Sequence, residues 1–204
     1  MNILPFTEFS FDVPTEVISS IITLRKYCED NSLHMTTNQY LDRKKSISNI
    51  DIYIIQWVTE SILKERNLTS LLKLSEIELN NKVEIHMLST EWIIDLPEVK
   101  VIKDFIESKF VNPFGFRLHV LGPNRKLSDN TPHAWPRVFI PVTNSECEYS
   151  LIDNTGVRHS MFYSVGKCYM WDVRLPHFVR NHSMTDERLI ATFMIDPKIQ
   201  KQLF

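Results

Sequence analysis

Glycine is scarce in this chain, with only four residues among 204. No G-x-G-x-x-G or G-x-x-x-x-G-K segment occurs in the sequence. Loops that hold nucleotide phosphates with backbone N–H groups need glycine at these spacings. The sequence therefore excludes the glycine-rich phosphate loops of nucleotide-binding domains.

Cysteine is also rare. The three cysteines, Cys28, Cys147 and Cys168, are far apart and form no C-x-x-C pair. Zinc fingers and thioredoxin-like redox sites need closely paired cysteines, so both classes are excluded. A small, odd number of separated thiols is typical of a protein in a reducing compartment, and we expect a cytoplasmic location.

Long apolar runs and an excess of one charge are missing as well. No apolar stretch approaches the ~20 residues that span a bilayer. The segment MNILPFTEFSFDVP has neither a basic residue nor a long apolar core, unlike a secretory signal. The net charge is −2, which gives no electrostatic reason to bind nucleic acid or anionic lipid. We expect neither nucleic acid nor a membrane among the partners.

The sequence does contain enough apolar material for a packed core. Hydrophobic residues make up 43% and aromatic residues 11% of the chain, as is typical of globular proteins. Apolar residues at helical spacing predict helices over residues 15–31, 50–63, 68–79 and 95–109, the last of them capped by Asp95. Apolar and polar residues that alternate predict a strand over residues 83–87.

From Phe116 onward the pattern changes to short apolar runs, separated by turn residues about every ten positions. Seven strands are predicted, over Phe116–Leu121, Val138–Thr143, Glu148–Ile152, His159–Tyr163, Lys167–Trp171, His177–Asn181 and Leu189–Ile195. Many short strands at this interval favour a jelly-roll barrel. Helices followed by strands indicate an α+β fold. Residues 1–110 would form a mainly helical part of one structural unit, and residues 111–204 its barrel core.

The segment Trp171–Asp196 contains the most informative pair of polar residues. It is predicted to form two strands joined by a polar turn, with His177 before and Arg188 after it. Side chains on one face of an antiparallel hairpin recur at every second residue, so both can point into one cavity. A neutral imidazole binds metal ions, and a guanidinium holds a carboxylate through two N–H groups. The pair indicates a metal beside a carboxylate pocket; the alternative is two surface residues that flank a loop.

Motifs between Asp95 and Asp196 resemble those of the aspartyl/asparaginyl β-hydroxylase family of Fe(II)- and 2-oxoglutarate-dependent oxygenases. The likeness rests on segments that follow one another in the family's order: Arg117–Leu121 with the turn Gly122-Pro123-Asn124, Arg137–Asn144 (RVFIPVTN), Val165–Asp172 (VGKCYMWD), and His177–Asn181 (HFVRN) followed by Arg188 and Asp196. The resemblance implies a double-stranded β-helix, which is a jelly roll, with the active site within residues 111–204.

The resemblance also implies roles for three residues. His177 would be the distal iron ligand, and Arg188 would bind the far carboxylate of 2-oxoglutarate. Arg137 would bind the other end of the cosubstrate or contact the substrate. Such sites hold Fe(II) through two His and often a carboxylate, and leave positions for cosubstrate and O₂. The implied reaction is hydroxylation of an amino acid, a peptide side chain or a small metabolite.

The family's first metal ligand, a His, is missing from its expected position. Counting from the Gly122-Pro123 turn, or backwards from Arg137, places it within Ser128-Asp129-Asn130. We predict that His133, in a shifted loop, replaces it as a metal ligand. Asp129 is the alternative ligand, and a chain without an iron site is the remaining possibility.

Two functional hypotheses follow. The first is a 2-oxoglutarate-dependent oxygenase with Fe(II) and 2-oxoglutarate as cofactors and a small-molecule or peptide substrate. The second is a catalytically silent jelly-roll binding protein that has lost the first metal ligand. Buried cations cost several kcal/mol when unpaired, so the presence of both Arg137 and Arg188 favours the first hypothesis. We expect the helical part, residues 1–110, to shape the entrance to the site. A homodimer formed through the same residues is a further possibility.

Overall fold

The computed structural model describes residues 5–36, 50–57, 90–129, 135–143 and 146–200. In chain order, the elements of these ranges are β1 (Phe6–Glu8), α1 (Thr15–Asp30), β2 (His34–Thr36), β3 (Ile50–Ile54), β4 (Gln56–Trp57), β5 (Glu91–Trp92), α2 (Pro97–Lys109), β6 (Phe114–Leu121), β7 (Lys126–Asp129), β8 (Arg137–Pro141), β9 (Cys147–Ile152), β10 (Arg158–Phe162), β11 (Tyr169–Trp171), β12 (His177–Asn181) and β13 (Arg188–Met194).

Two antiparallel sheets contain most of these strands. The larger sheet has the order β1-β11-β8-β13-β6-β3-β2, and the smaller has the order β10-β9-β12-β7. From β6 onward the chain passes repeatedly from one sheet to the other, so that neighbours in sequence mostly lie in different sheets. Two sheets connected in this way form a double-stranded β-helix, and the fold class is α+β as the sequence predicts.

The larger sheet is covered on both faces. On one face, α1 and α2 bury apolar side chains such as Ile21 and Ile102 against the sheet. On the other face, a second apolar cluster fills the space between the two sheets. Because alternate residues of a strand face opposite sides, β13 contributes Leu189, Ala191 and Phe193 to the helix side and Ile190 to the space between the sheets.

The helix predicted over residues 50–63 is wrong in its described part. Residues Ile50–Ile54 form β3, which pairs with both β6 and β2. The segment is rich in β-branched Ile, which favours strands, and a short apolar run does not distinguish a buried strand from a helix by its spacing. Pairing with β6 decides the outcome, since it buries Ile52 and Tyr53.

Most other predicted elements are confirmed. The helices over 15–31 and 95–109 appear as α1 and α2, although Leu96 rather than Asp95 occupies the N-cap of α2 and no side chain caps it. All seven strands predicted after residue 115 are present, with ends shifted by at most two residues. The predicted helix over 68–79 and strand over 83–87 lie outside the described residues. No described helix is long and apolar enough to cross a membrane.

Candidate functional site

A small hollow lies between the two sheets, next to the first residues of β12 and β13. Its volume is about 40 Å³. Both sheets supply its lining, which consists of His119, Leu127, Arg137, Tyr149, Trp171, His177, Phe178, Val179, Arg188 and Ile190. Within the described part of the chain this lining has several cationic or N–H-bearing side chains and no carboxylate, so an anion or an acceptor-rich molecule fits it best.

Arg188 is the most deeply buried cation of the hollow. Only 1% of its surface is exposed, because β13 lies in the middle of the larger sheet. Its Nη1 donates a hydrogen bond of 2.8 Å to the hydroxyl of Tyr149. Its Nε and Nη2 have no hydrogen-bond partner among the described residues. A guanidinium stays charged at any physiological pH, so these two N–H groups form a fork that matches a carboxylate.

Tyr149 holds this guanidinium from the smaller sheet. It is fully buried on β9 and stacks on Phe139, with ring centroids 4.6 Å apart. Burial raises the pKa of the Tyr149 phenol well above its ordinary value, against the opposing effect of the Arg188 and Arg137 charges. The phenol is therefore neutral at pH 7 and can bond Arg188 or a carboxylate without adding a negative charge of its own. Sequence reasoning missed Tyr149.

His177 lies at the first position of β12 and is 5% exposed. Its Nδ1 is 2.8 Å from the carbonyl oxygen of Leu175. A carbonyl can only accept, so Nδ1 carries the proton, and in the neutral ring Nε2 is the nitrogen with the lone pair. An imidazole oriented through one ring nitrogen by a backbone carbonyl is typical of metal ligands. The ring also contacts Trp171, with centroids 4.8 Å apart.

A tight turn before β12 fixes the carbonyl that orients His177. The N–H of Leu175 donates to the carbonyl of Asp172 at 3.1 Å. The carboxylate of Asp172 accepts from Nε and Nη2 of Arg174 at 2.6 and 2.7 Å. Asp172 is 6% exposed, and this two-pronged ion pair closes the turn from one side. The position of the imidazole thus depends on a turn with its own internal bonds.

Arg137 and His119 complete the polar lining. Arg137 is half-buried at the first position of β8, where its main chain pairs with Trp171 and Met194 on the two neighbouring strands. His119 is 6% exposed on β6 and pairs with Ile190. The structure brings His119 to the lining of the hollow.

The structure brings together three of the predicted site residues, His177, Arg188 and Arg137. The expected hairpin is wrong, however, because β12 and β13 belong to different sheets. The connection over residues 182–187 crosses the edge of the sandwich instead of folding β13 back onto β12. The imidazole and the guanidinium therefore approach the hollow from opposite sheets.

The two candidates for the first metal ligand are His133 and Asp129. His133 lies outside the described residues. Asp129 is the last residue of β7, and its main chain pairs with that of His177 in the ladder between β7 and β12. Among the described residues there is no group of three or more His, Cys, Asp or Glu side chains that could hold a metal ion.

Comparisons with known proteins support the fold. No family profile and no curated protein matches the sequence. A prolyl-4-hydroxylase of Pseudomonas putida has a similar structure, with a TM-score of 0.51, 11% sequence identity, and coverage of 94% of this chain and 92% of that one. A prolyl hydroxylase of Trichoplax adhaerens, solved with a peptide of hypoxia inducible factor, has a TM-score of 0.54, 10% identity, and coverage of 97% and 86%. At such identities the likeness establishes a shared double-stranded β-helix.

Proposed function

We propose that this chain is an Fe(II)- and 2-oxoglutarate-dependent oxygenase that hydroxylates an amino acid, a peptide side chain or a small metabolite. The buried Arg188 supports the proposal most strongly. Two of its N–H groups have no partner among the described residues, and the hollow it faces also contains His177. The two prolyl hydroxylases that share the fold act on proline, as their names state. The motif likeness described above favours an Asp or Asn substrate.

Residues from both sheets would bind the cosubstrate, each with a different role. Arg188 would hold the distal carboxylate of 2-oxoglutarate through Nε and Nη2, while Tyr149 keeps the guanidinium in place through Nη1. Arg137, also on the lining, would bind a second anionic group of the cosubstrate or the substrate. The low dielectric of a buried site strengthens each of these charge-assisted bonds and excludes water from the reacting groups.

The hollow must enlarge when the diacid binds. A volume of about 40 Å³ holds only a few water molecules, and a five-carbon diacid is larger. Side-chain rotamer changes on binding are common where the backbone is rigid. We therefore expect 2-oxoglutarate to change the near-ultraviolet circular dichroism of the aromatic lining, which includes Tyr149 and Trp171.

One side chain of the site, His177, has the chemistry of a metal ligand. His177 bonds the Leu175 carbonyl through Nδ1, so a metal would be held at its Nε2, and the main chain that pairs with it in the ladder is that of Asp129. We propose His177 and His133 as metal ligands, with Asp129 as the alternative to His133. The chemistry that bound Fe(II) would supply is the activation of O₂, which oxidises 2-oxoglutarate to succinate and CO₂ and leaves one oxygen atom for the substrate.

The choice between Asp129 and His133 can be measured by substitution. Asp129→Asn and His133→Ala are compared with His177→Ala for Mn(II) affinity by isothermal titration calorimetry. We expect His177→Ala and His133→Ala to weaken Mn(II) binding at least about 10-fold, since a direct ligand is worth no less than an outer-shell partner. If Asp129→Asn weakens it and His133→Ala does not, Asp129 is the ligand and the shifted loop is wrong.

Anaerobic titration with Fe(II) and 2-oxoglutarate tests the function itself. We expect a weak visible charge-transfer band, followed in air by succinate formation and by the gain of one oxygen atom in a peptide or amino acid containing Asp, Asn or Pro. His177→Ala should abolish the band and the succinate. A flat spectrum with intact 2-oxoglutarate binding would contradict the oxygenase and support a catalytically silent binding protein.

A further inference from the structure

Trp171 has an unusual position for a core tryptophan. It is 4% exposed at the end of β11, and its indole Nε1 has no hydrogen-bond partner among the described residues. A buried indole N–H normally finds an acceptor, and leaving one unsatisfied costs about 1–3 kcal/mol. Trp171 also lines the hollow between the sheets, where a bound molecule could supply that acceptor.

The neighbours of Trp171 place it between the two functional groups of the hollow. Its ring meets the ring of Tyr149 edge to face, with centroids 4.9 Å apart. On another side its centroid lies 4.8 Å from that of His177. Tyr149 holds the carboxylate-binding Arg188, and His177 is the proposed metal ligand. The indole therefore lies between the two ends at which a diacid would be held.

Packing keeps this indole in one orientation. Phe6 of β1 stacks on it at 6.5 Å, and Phe139 of β8 meets it edge to face at 6.3 Å. The main chain of Trp171 is paired on both sides, with Phe6 and with Arg137. A donor held in this way loses little conformational entropy when it bonds a ligand.

We propose that the indole N–H of Trp171 is a binding donor for an oxygen atom of the diacid in this hollow. The inference rests on the proposed function, because 2-oxoglutarate is the diacid it invokes. It adds a third donor to the two N–H groups of Arg188 and assigns Trp171 to ligand binding as well as to the apolar cluster between the sheets.

A matched pair of variants tests the inference. Trp92 on β5 also has an indole Nε1 without a described partner, but it packs on Phe116 in the helix-side cluster, away from the hollow. Trp171→Phe and Trp92→Phe each remove one indole N–H. We measure 2-oxoglutarate affinity in the presence of Mn(II) by calorimetry. We expect about a 10-fold or greater loss for Trp171→Phe, typical of a hydrogen bond to a charged group, and less than about a 2-fold change for Trp92→Phe.

A second measurement uses wild-type protein and does not require Trp171→Phe to fold. The chain has four tryptophans, so ¹⁵N-labelled wild-type protein gives four indole N–H signals. Addition of 2-oxoglutarate with Mg(II), a diamagnetic metal, should move the Trp171 signal downfield, in the direction of a new hydrogen bond, and leave the Trp92 signal in place. Assignment follows from the signal missing in each Phe variant; if Trp171→Phe does not fold, Trp57→Phe, Trp92→Phe and Trp135→Phe identify the Trp171 signal by elimination.

The outcomes separate this inference from the proposed function. If wild-type protein binds 2-oxoglutarate while Trp171→Phe binds it equally well, or while the Trp171 signal does not move, the role of Trp171 is wrong and the oxygenase proposal is untouched. If wild-type protein does not bind 2-oxoglutarate in the presence of metal, both the proposed function and the role of Trp171 are wrong.

Discussion

Arg188 has 1% of its surface exposed, and two of its nitrogen atoms are without partners in the described part of the chain. Burying a cation with incomplete hydrogen bonding lowers the stability of the folded state. Tyr149 accepts a hydrogen bond from Nη1 and its ring lies 5.7 Å from the guanidinium carbon, while Nε and Nη2 donate no hydrogen bond to the described residues. A binding site that holds an anion through a buried arginine thus reduces the stability of the ligand-free protein.

Arg188→Met tests this opposition between stability and binding. Methionine is unbranched and adapts to irregular space, and replacing buried charged groups with apolar ones is often stabilising by 1–4 kcal/mol. We expect the free energy of unfolding in urea to rise by about 1–3 kcal/mol, with 2-oxoglutarate binding abolished. Arg188→Lys, which keeps the charge but not the fork, is the control and should show no stability gain. A clear loss of stability in Arg188→Met would mean that the guanidinium is already compensated.

The identity of the site residues was predictable from the sequence only in part. His177 and Arg188 stand out because their chemistry is distinctive at their spacing. Tyr149 follows the same alternation as Cys147 and Leu151 on β9, so its burial could have been predicted, and a buried phenol needs a partner. That partner is Arg188, 39 positions away on the other sheet. Neither local spacing nor composition specifies contacts of that kind.

The turn between β11 and β12 determines the orientation of the His177 imidazole. Asp172→Asn weakens the two-pronged pair with Arg174, which we expect to loosen the Leu175 carbonyl that orients His177. We predict about a 10-fold loss of Mn(II) affinity, as for other outer-shell partners of metal ligands. Asp153→Asn is the matched control, since Asp153 accepts from Thr155 and Val157 in the turn between β9 and β10. Equal effects of the two substitutions would show that the Asp172 turn has no special role.

The outer face of the smaller sheet contains a carboxylate with four hydrogen-bond donors. Burial raises the pKa of Glu148, but hydrogen bonds from Ser160, Ser150, His182 and Arg158 outweigh it and lower the pKa from 4.5 to about 2. A lowered folded-state pKa stabilises the protein above pH 4.5, and this contribution is lost as the pH falls from about 4.5 to 2.

Glu148→Gln should remove that acid sensitivity. We expect wild-type protein to lose on the order of 2 kcal/mol of unfolding free energy between pH 5 and pH 2 through this group, and Glu148→Gln to lose correspondingly less. Urea unfolding at pH 7, 5, 3 and 2 measures the difference, with the exposed neighbour Glu146→Gln as control. Parallel pH profiles of wild type and Glu148→Gln would contradict the prediction.

Two sequence predictions of whole elements were wrong, the helix over residues 50–63 in its described part and the hairpin of β12 and β13. Ile50–Ile54 has the apolar content of a helix face but forms a strand that pairs with β6. The segment is a strand rather than a helix because β6 offers it backbone hydrogen-bonding groups. The connection over residues 182–187 fits either a long hairpin or a crossover between sheets. The side-chain N–H groups of Asn181 donate to the backbone carbonyls of Leu121, Gly122 and Asp186. These bonds hold the connection in the crossover conformation.

At the scale of the whole molecule, the order of strands produces the site. Because the chain alternates between sheets, residues 11 positions apart, His177 and Arg188, face each other across the sandwich. The jelly roll itself was predictable from the interval between short strands. The participation of β1 and β3 in the larger sheet was not, since each of them pairs with a strand more than 60 residues away in sequence.

We propose that this sandwich holds a diacid between Arg188 and His177. A crystal of the protein grown with Mn(II) and an inert 2-oxoglutarate analogue tests it directly. We predict one carboxylate of the analogue on Nε and Nη2 of Arg188, the metal on Nε2 of His177, and an oxygen atom within hydrogen-bond distance of the Trp171 indole. An analogue bound elsewhere, with Arg188 and His177 unchanged, would contradict the claim.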